Sequence, residues 1–125
     1  MNEAYVSYET AKLLKEKGFD WECRAYWHEN NKELIESQSP CYLRNITNPC
    51  WFGNTAPTQQ MAMRWLIETH NIHIETHFLR ASGDYVYNII HSPLKLDDIH
   101  SFPIVFNTRE DAIEAALEYV LTNLI

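Results

Sequence analysis

Positive charge is in short supply: ten Lys and Arg stand against 17 Asp and Glu, giving a formal net charge of -7 and a pI near 5.2. Such a balance repels a phosphate backbone at long range, and no stretch concentrates Lys and Arg enough to reverse it, so nucleic-acid binding is disfavoured. Cysteine is also scarce. Cys23, Cys41 and Cys50 form an odd set without a CxxC pair, which excludes a disulfide framework and suits a reducing compartment. Cys41 and Cys50 are too far apart for a zinc knuckle and have aromatic neighbours, the setting of buried thiols. Long apolar runs are missing as well. Stretches such as "YNII" and "FPIVF" are far too short to span a bilayer. "MNEAYVSYET" lacks the basic region and apolar core of a signal peptide. A cytoplasmic protein without membrane attachment is therefore expected, in which the "NIT" acceptor at Asn45 carries no glycan. No phosphate loop, nucleophile elbow or dinucleotide fingerprint is present, so no catalytic residue, metal ligand set or cofactor is assigned.

What the chain does have is the material of a packed fold. Its 125 residues, 46% hydrophobic and 13% aromatic, fit one domain over residues 1–125. A chain of this size buries roughly two thirds of its unfolded surface, enough to fold without metal or disulfides.

Ser7 before "YETAKLLKEKG", with Ala11 and Leu14 at helical spacing and Gly18 as a left-handed stop, predicts a helix over about residues 8 to 17. "WECRAYWH" alternates Trp21, Cys23, Ala25 and Trp27 against polar neighbours, the two-residue period of a half-buried strand. "ENNK" turns the chain and "ELIES" returns it. Residues 38 to 57 hold three of the five prolines and no sustained period, which predicts an irregular segment with at most one short strand. A second helix follows over "PTQQMAMRWLIETHN", its inward face Met61, Ala62, Trp65, Leu66 and Thr69, with Asn71 as the stop. "IHIETHFL" alternates again, with Ile72, Ile74 and Phe78 inward; "ASGD" is a hairpin turn and "YVYNIIH" the partner strand. "SPLKLDDIHS" reads as a loop with some extended character. "FPIVF" reads as a short edge strand, because Pro103 cannot serve a central one. Thr108 and Asp111 cap a last helix whose Ile113, Ala116, Leu117, Val120, Leu121 and Leu124 form one apolar stripe.

The predicted order is α-β-β-α-β-β-α, an α+β fold in which an antiparallel sheet built from two hairpins is covered by about three helices. The helix-then-hairpin pattern recurs at an offset of about fifty residues, although identity between the halves is too slight to indicate a duplication.

"ETHNIHIETH", residues 68 to 77, holds three of the six histidines and two glutamates. His70 falls at a helix end and His73 at a strand start. On the strand His73, Glu75 and His77 share a face, but at about 3.3 Å per residue the two histidines are roughly 13 Å apart. One ion at about 2 Å from each nitrogen cannot bridge them. An adjacent pair can supply two ligands, or a general base paired with Glu75, if other groups join. The main reading is a strand with a polar outer face. The second candidate is "WFGN", where Trp51 and Phe52 before Gly53 offer an aromatic floor for a ligand or a lid over the core. Trp51, Phe52, His73, Glu75 and His77 are thus the binding candidates.

At "YETAKLLKEKGFD", "PTQQMAMRWLIETHNIHIET" and "REDAIEAALEYVL" the chain resembles a group of short, uncharacterised proteins of Bacteroides-type gut bacteria and their phages. The likeness spans most of the chain, least in the middle segment, and carries no catalytic residue with it. It implies a small intracellular protein of prophage or mobile-element origin. Residues and resemblance together lead to the expectation of a non-enzymatic binding or accessory module that acts through a protein partner or by self-association. One alternative is a small metal-binding protein or enzyme using the His73/Glu75/His77 face. A further one is an acidic inhibitor that imitates nucleic acid.

Overall fold

The computed structural model describes residues 4–36, 53–91, 99–101 and 104–125, the side chains at 36, 91 and 99–101 excepted. In chain order its elements are α1 (Tyr8–Glu16), β1 (Ala25–His28), β2 (Leu34–Glu36), β3 (Gly53–Thr55), α2 (Gln59–His70), β4 (Ile72–Leu79), β5 (Asp84–His91), β6 (Ile99–Ser101) and α3 (Arg109–Tyr119). The last helix runs on into a π-helical turn, Val120–Leu124. Helices beside antiparallel sheets make this an α+β fold. Its order departs from the predicted one in detail: each hairpin gains a third strand, and the strands form two sheets, β2-β1-β3 and β4-β5-β6. Contacts divide the chain into two compact units, Met1–Thr58 and Gln59–Ile125, with one sheet in each. The leading strand is central in the first sheet and at the edge of the second, so the halves do not repeat one topology.

In the first unit the Ser7 side chain accepts from the Thr10 amide at 3.2 Å and starts α1. Gly18, at φ +91°, ends it in a Schellman turn. There the Phe19 amide donates to the Leu14 carbonyl at 2.9 Å and the Gly18 amide to that of Lys15 at 3.2 Å. Leu14 and Phe19, which such a turn brings together, are both buried. Cys23 and Ala25 are buried while Glu22 and Arg24 are exposed, so the two-residue period of this segment is realised. β1 pairs antiparallel with β2, Tyr26 opposite Ile35, and with β3, Trp27 opposite Asn54. The segment before β1 is anchored as well: the Val6 amide donates to the Pro57 carbonyl at 3.0 Å, and the Trp27 indole donates to the Val6 carbonyl at 2.9 Å.

In the second unit Asn71, at φ +55°, stops α2 and turns the chain straight into β4. Strands β4 and β5 pair along their whole length, from Ile72 opposite His91 to Leu79 opposite Asp84. Helix α3 packs on both, and α2 packs on β4 and α3. Thr108 caps α3, its hydroxyl accepting from the Asp111 amide at 3.1 Å, and Glu110 and Asp111 complement the dipole in the first turn. Ile113, Ala116, Leu117, Val120 and Leu121 are buried as their spacing requires. Each large apolar side chain so removed from water contributes roughly 1.5–3 kcal/mol. Gln59 is a buried polar group with both donors used: its Nε2 donates to the Glu110 carbonyl at 2.9 Å and to Glu114 Oε2 at 3.1 Å. It ties the start of α2 to the first turns of α3.

Four expectations are corrected. Thr69 is exposed, because the buried face of α2 closes at Trp65 and Leu66. Phe78 does not point into a core: it is 55% exposed, although Ile72 on the same face of β4 is 2% exposed. The helices cover the start of the strand and not its hairpin end. The turn falls at residues 80–83, and Asp84 already belongs to β5. Among the described residues of "FPIVF", 104–106, no regular strand forms: Ile104 and Val105 are exposed and Phe106 makes a single bridge to Tyr85, while the strand that pairs with β5 is Ile99–Ser101.

The two hairpins have the same loop. Four residues separate His28 from Glu33, whose carbonyl accepts from the His28 amide at 2.9 Å, and four separate the paired Leu79 and Asp84. In one the Lys32 amide donates to the His28 carbonyl at 2.8 Å, and in the other the Gly83 amide donates to that of Leu79, also at 2.8 Å. The fourth loop residue is left-handed in both, Lys32 at φ +54° and Gly83 at φ +74°. Lysine tolerates this badly by itself. Its ammonium, however, sits 5.1 Å from the centre of the Tyr8 ring, a cation–π contact that offsets part of the strain.

Candidate functional site

Strand β4 carries three of the five binding candidates. Pleating puts His73, Glu75 and His77 on one face, opposite Ile90, Asn88 and Val86 of β5. His77 Nε2 lies 3.6 Å from Glu75 Oε2, and both side chains are 51% exposed. At that exposure water competes for both groups, and the pair adds little to stability even when the imidazole carries its proton. His73 is half-buried one pleat further down the strand.

The other histidines do not join this face in the described residues. His70 ends α2 with its ring edge-on to Trp65, centroids 5.2 Å apart. His28 Nδ1 accepts from the Asn30 amide at 3.3 Å in the first hairpin. The side chains of His91 and His100, like Trp51 and Phe52 in full, lie outside the described residues. Among the described residues no group of three or more His, Cys, Asp and Glu is placed to hold a metal ion. Cys23, on the apolar face of its strand, is 2% exposed. Burial pushes its thiol up to about 11, against a smaller opposing effect of the Thr55 hydroxyl, and the thiol donates to the Trp21 carbonyl at 3.4 Å. Such a thiol is a poor nucleophile. Burial, and secondarily Tyr119, also raises the Tyr87 phenol above its ordinary value.

The feature that sequence reasoning missed lies along the same strand. Among the described residues β4 pairs only with β5 and forms one edge of its sheet. Which of its backbone groups face outward follows from its neighbour. Tyr85 exchanges both of its backbone hydrogen bonds with Phe106, at 2.8 Å each, so its N–H and C=O point away from β4. Phe78 stands directly opposite Tyr85 and therefore directs its own N–H and C=O to the open side. By antiparallel alternation Thr76 and Ile74 do the same. Next to these groups are exposed apolar side chains. These are Phe78, whose ring centroid is 5.1 Å from that of Tyr85, and Leu79, both on the strand itself; the exposed Ile104 and Val105 come just before Phe106, on the far side of β5 from this edge. The sequence held one sign of this: Phe78 and Leu79 are adjacent apolar residues on a strand, so one of them must face the polar side.

No helix among the described residues is long and apolar enough to cross a membrane. Compared with known proteins, the chain matches no family model, no curated protein and no solved structure.

Proposed function

We propose that this protein is a small non-enzymatic binding or accessory module, cytoplasmic and of prophage or mobile-element origin, that acts by protein contact. The observation that carries the reading is the edge of β4: backbone groups at Ile74, Thr76 and Phe78 that no strand pairs among the described residues, beside the exposed side chains of Phe78 and Leu79. An eight-residue edge with apolar side chains is a template for another strand. Proteins that keep such an edge from pairing place lysine, proline or a bulge on it, and the β4 sequence "IHIETHFL" contains neither Lys nor Pro. The test is a photo-reactive amino acid at position 78 of the protein expressed in its source cells. Covalent capture of protein supports the reading, and absence of any protein adduct refutes it.

A second reading takes the 3.6 Å approach of His77 to Glu75 as half of a metal or proton-transfer site completed by other groups. Zinc titration of the untagged protein, with His77→Ala as the comparison, decides it: heat released by the first and lost in the second is the supporting result.

A further inference from the structure

Resting on the reading of β4 as a docking edge, we infer that its occupant is the β4 strand of a second copy of this chain. The two strands run antiparallel about a two-fold axis through Thr76. The backbone narrows the choice first. Because Ile74, Thr76 and Phe78 present the outward N–H and C=O groups, two copies exchange hydrogen bonds only where these positions stand opposite one another. A few registers satisfy that rule, and the side chains separate them.

With the axis at Glu75, two carboxylates meet head-on. With the axis at His77, the two imidazoles face each other and each Glu75 stands opposite Leu79. With the axis at Ile74, Phe78 passes beyond the partner strand and stays in water. With the axis at Thr76, Glu75 of each copy faces His77 of the other, twice by symmetry. Thr76 then meets Thr76, and the exposed Phe78 lies against the half-buried Ile74. These are favourable cross-strand combinations: a carboxylate facing an imidazole, paired threonines, and an aromatic ring on a β-branched side chain. The Glu75–His77 contacts also fall at non-hydrogen-bonded positions, where side chains of neighbouring strands come closest. The strand is thus self-complementary in backbone register and in side-chain pairing about one residue, as a two-fold interface requires. Pairing would join the two β4-β5-β6 sheets into one across the axis.

Sedimentation equilibrium of the full chain tests this. The wild-type protein is expected to form a reversible dimer. Thr76→Pro removes an outward N–H and none that β4 gives to β5, so it is expected to weaken the dimer at least about 100-fold while the circular dichroism stays native. Glu75→Lys, which does not depend on a proline being accommodated, replaces the carboxylate facing His77 with an ammonium that cannot accept a hydrogen bond, and is expected to weaken it roughly tenfold. Glu75→Lys combined with His77→Glu sets opposite charges face to face in this register alone and is expected to recover the loss. A wild-type monomer at millimolar concentration overturns the inference, and so does a folded Thr76→Pro variant that dimerises normally. Failure of the double variant to recover overturns the register. If the chain is a monomer yet the photo-reactive residue at position 78 captures a different protein, self-pairing falls and the protein-contact reading stands. If it captures nothing, both fall.

Discussion

Gly53→Ala is the most informative single substitution in the first unit, because its effect is purely steric. Gly53 stands opposite His28 where β3 meets β1. A Cβ built there overlaps the carbonyl oxygen of Trp27, comes 2.9 Å from its carbonyl carbon and 3.3 Å from the Glu29 amide nitrogen. All three are backbone atoms of the neighbouring strand and its turn, so no flexible side chain can yield, and β3 must lift from β1. Overpacking of this kind costs about 1–3 kcal/mol, and the upper end applies to an unyielding backbone. Lifting also strains the bond from the Ala56 amide to the Ala25 carbonyl, 2.8 Å, and opens buried Asn54 and Thr55 to water. The better strand propensity of alanine returns roughly 0.5–1 kcal/mol. The net loss is about 2–2.5 kcal/mol, and at a urea dependence of roughly 2 kcal/mol per molar the unfolding midpoint falls by about 1 M. Gly83→Ala is the matched comparison: nothing lies within 4 Å of its Cβ, but φ is +74°, so the loss is conformational, about 1–2 kcal/mol. Urea titration followed by tryptophan fluorescence and circular dichroism measures both. A Gly53→Ala midpoint within about 0.3 M of wild type, or a larger loss for Gly83→Ala, refutes the reasoning.

Gln59→Ala removes two hydrogen bonds, one of them to the Glu114 carboxylate, from a buried position; a loss of about 2 kcal/mol is expected in thermal unfolding. Gln59→Glu should lose more, because it sets a second carboxylate beside Glu114. Thr108→Ala deletes the cap of α3 and is expected to lower stability by about 1 kcal/mol, with Thr108→Ser close to wild type. For Cys23 the folded state holds the protonated thiol, raised from 9.0 to about 11. Its contribution is therefore intact below pH 9 and is lost as pH rises toward 11. In a Cys41→Ser, Cys50→Ser background, the unfolding midpoint should fall across that window more steeply than when Cys23→Ala is added. Alkylation of Cys23 at pH 8 should wait on unfolding; modification at the rate of a free thiol contradicts its burial.

Local structure was legible where one residue type has one physical use. Ser7, Gly18, Asn71 and Thr108 mark helix ends because a side-chain oxygen or a left-handed backbone is needed there, and all four do so. Alternation showed that Cys23, Ala25 and Ile72 turn inward, and failed at Phe78, since a period gives the face of a strand and not the length of its cover. The two hairpin pairings were legible from their turns, but the third strand of each sheet was not. Nothing in "GNT" announces β3: its residues are buried, yet none is apolar, and they are held by backbone bonds that carry no sequence signal. β6 is likewise only three residues, within a segment read as a loop with some extended character. The histidine cluster was legible as a single strand face, whereas the unpaired edge beside it was not, because it depends on where Tyr85 sends its hydrogen bonds. The π-helical end of the last helix left no mark in a stripe whose spacing fits an α-helix.

The two matching loops make the hairpins interchangeable at their tips. Residues 29–32 and 80–83 close the same backbone circuit, with the same hydrogen bond and the same left-handed last residue, so either tetrapeptide is a cassette for the other stem. Moving "RASG" into the first hairpin would put glycine where Lys32 now strains and release the Tyr8 ring from its cation. Both tips therefore serve as ports at which an epitope, a dye or a tether can be grafted with its anchoring geometry known in advance.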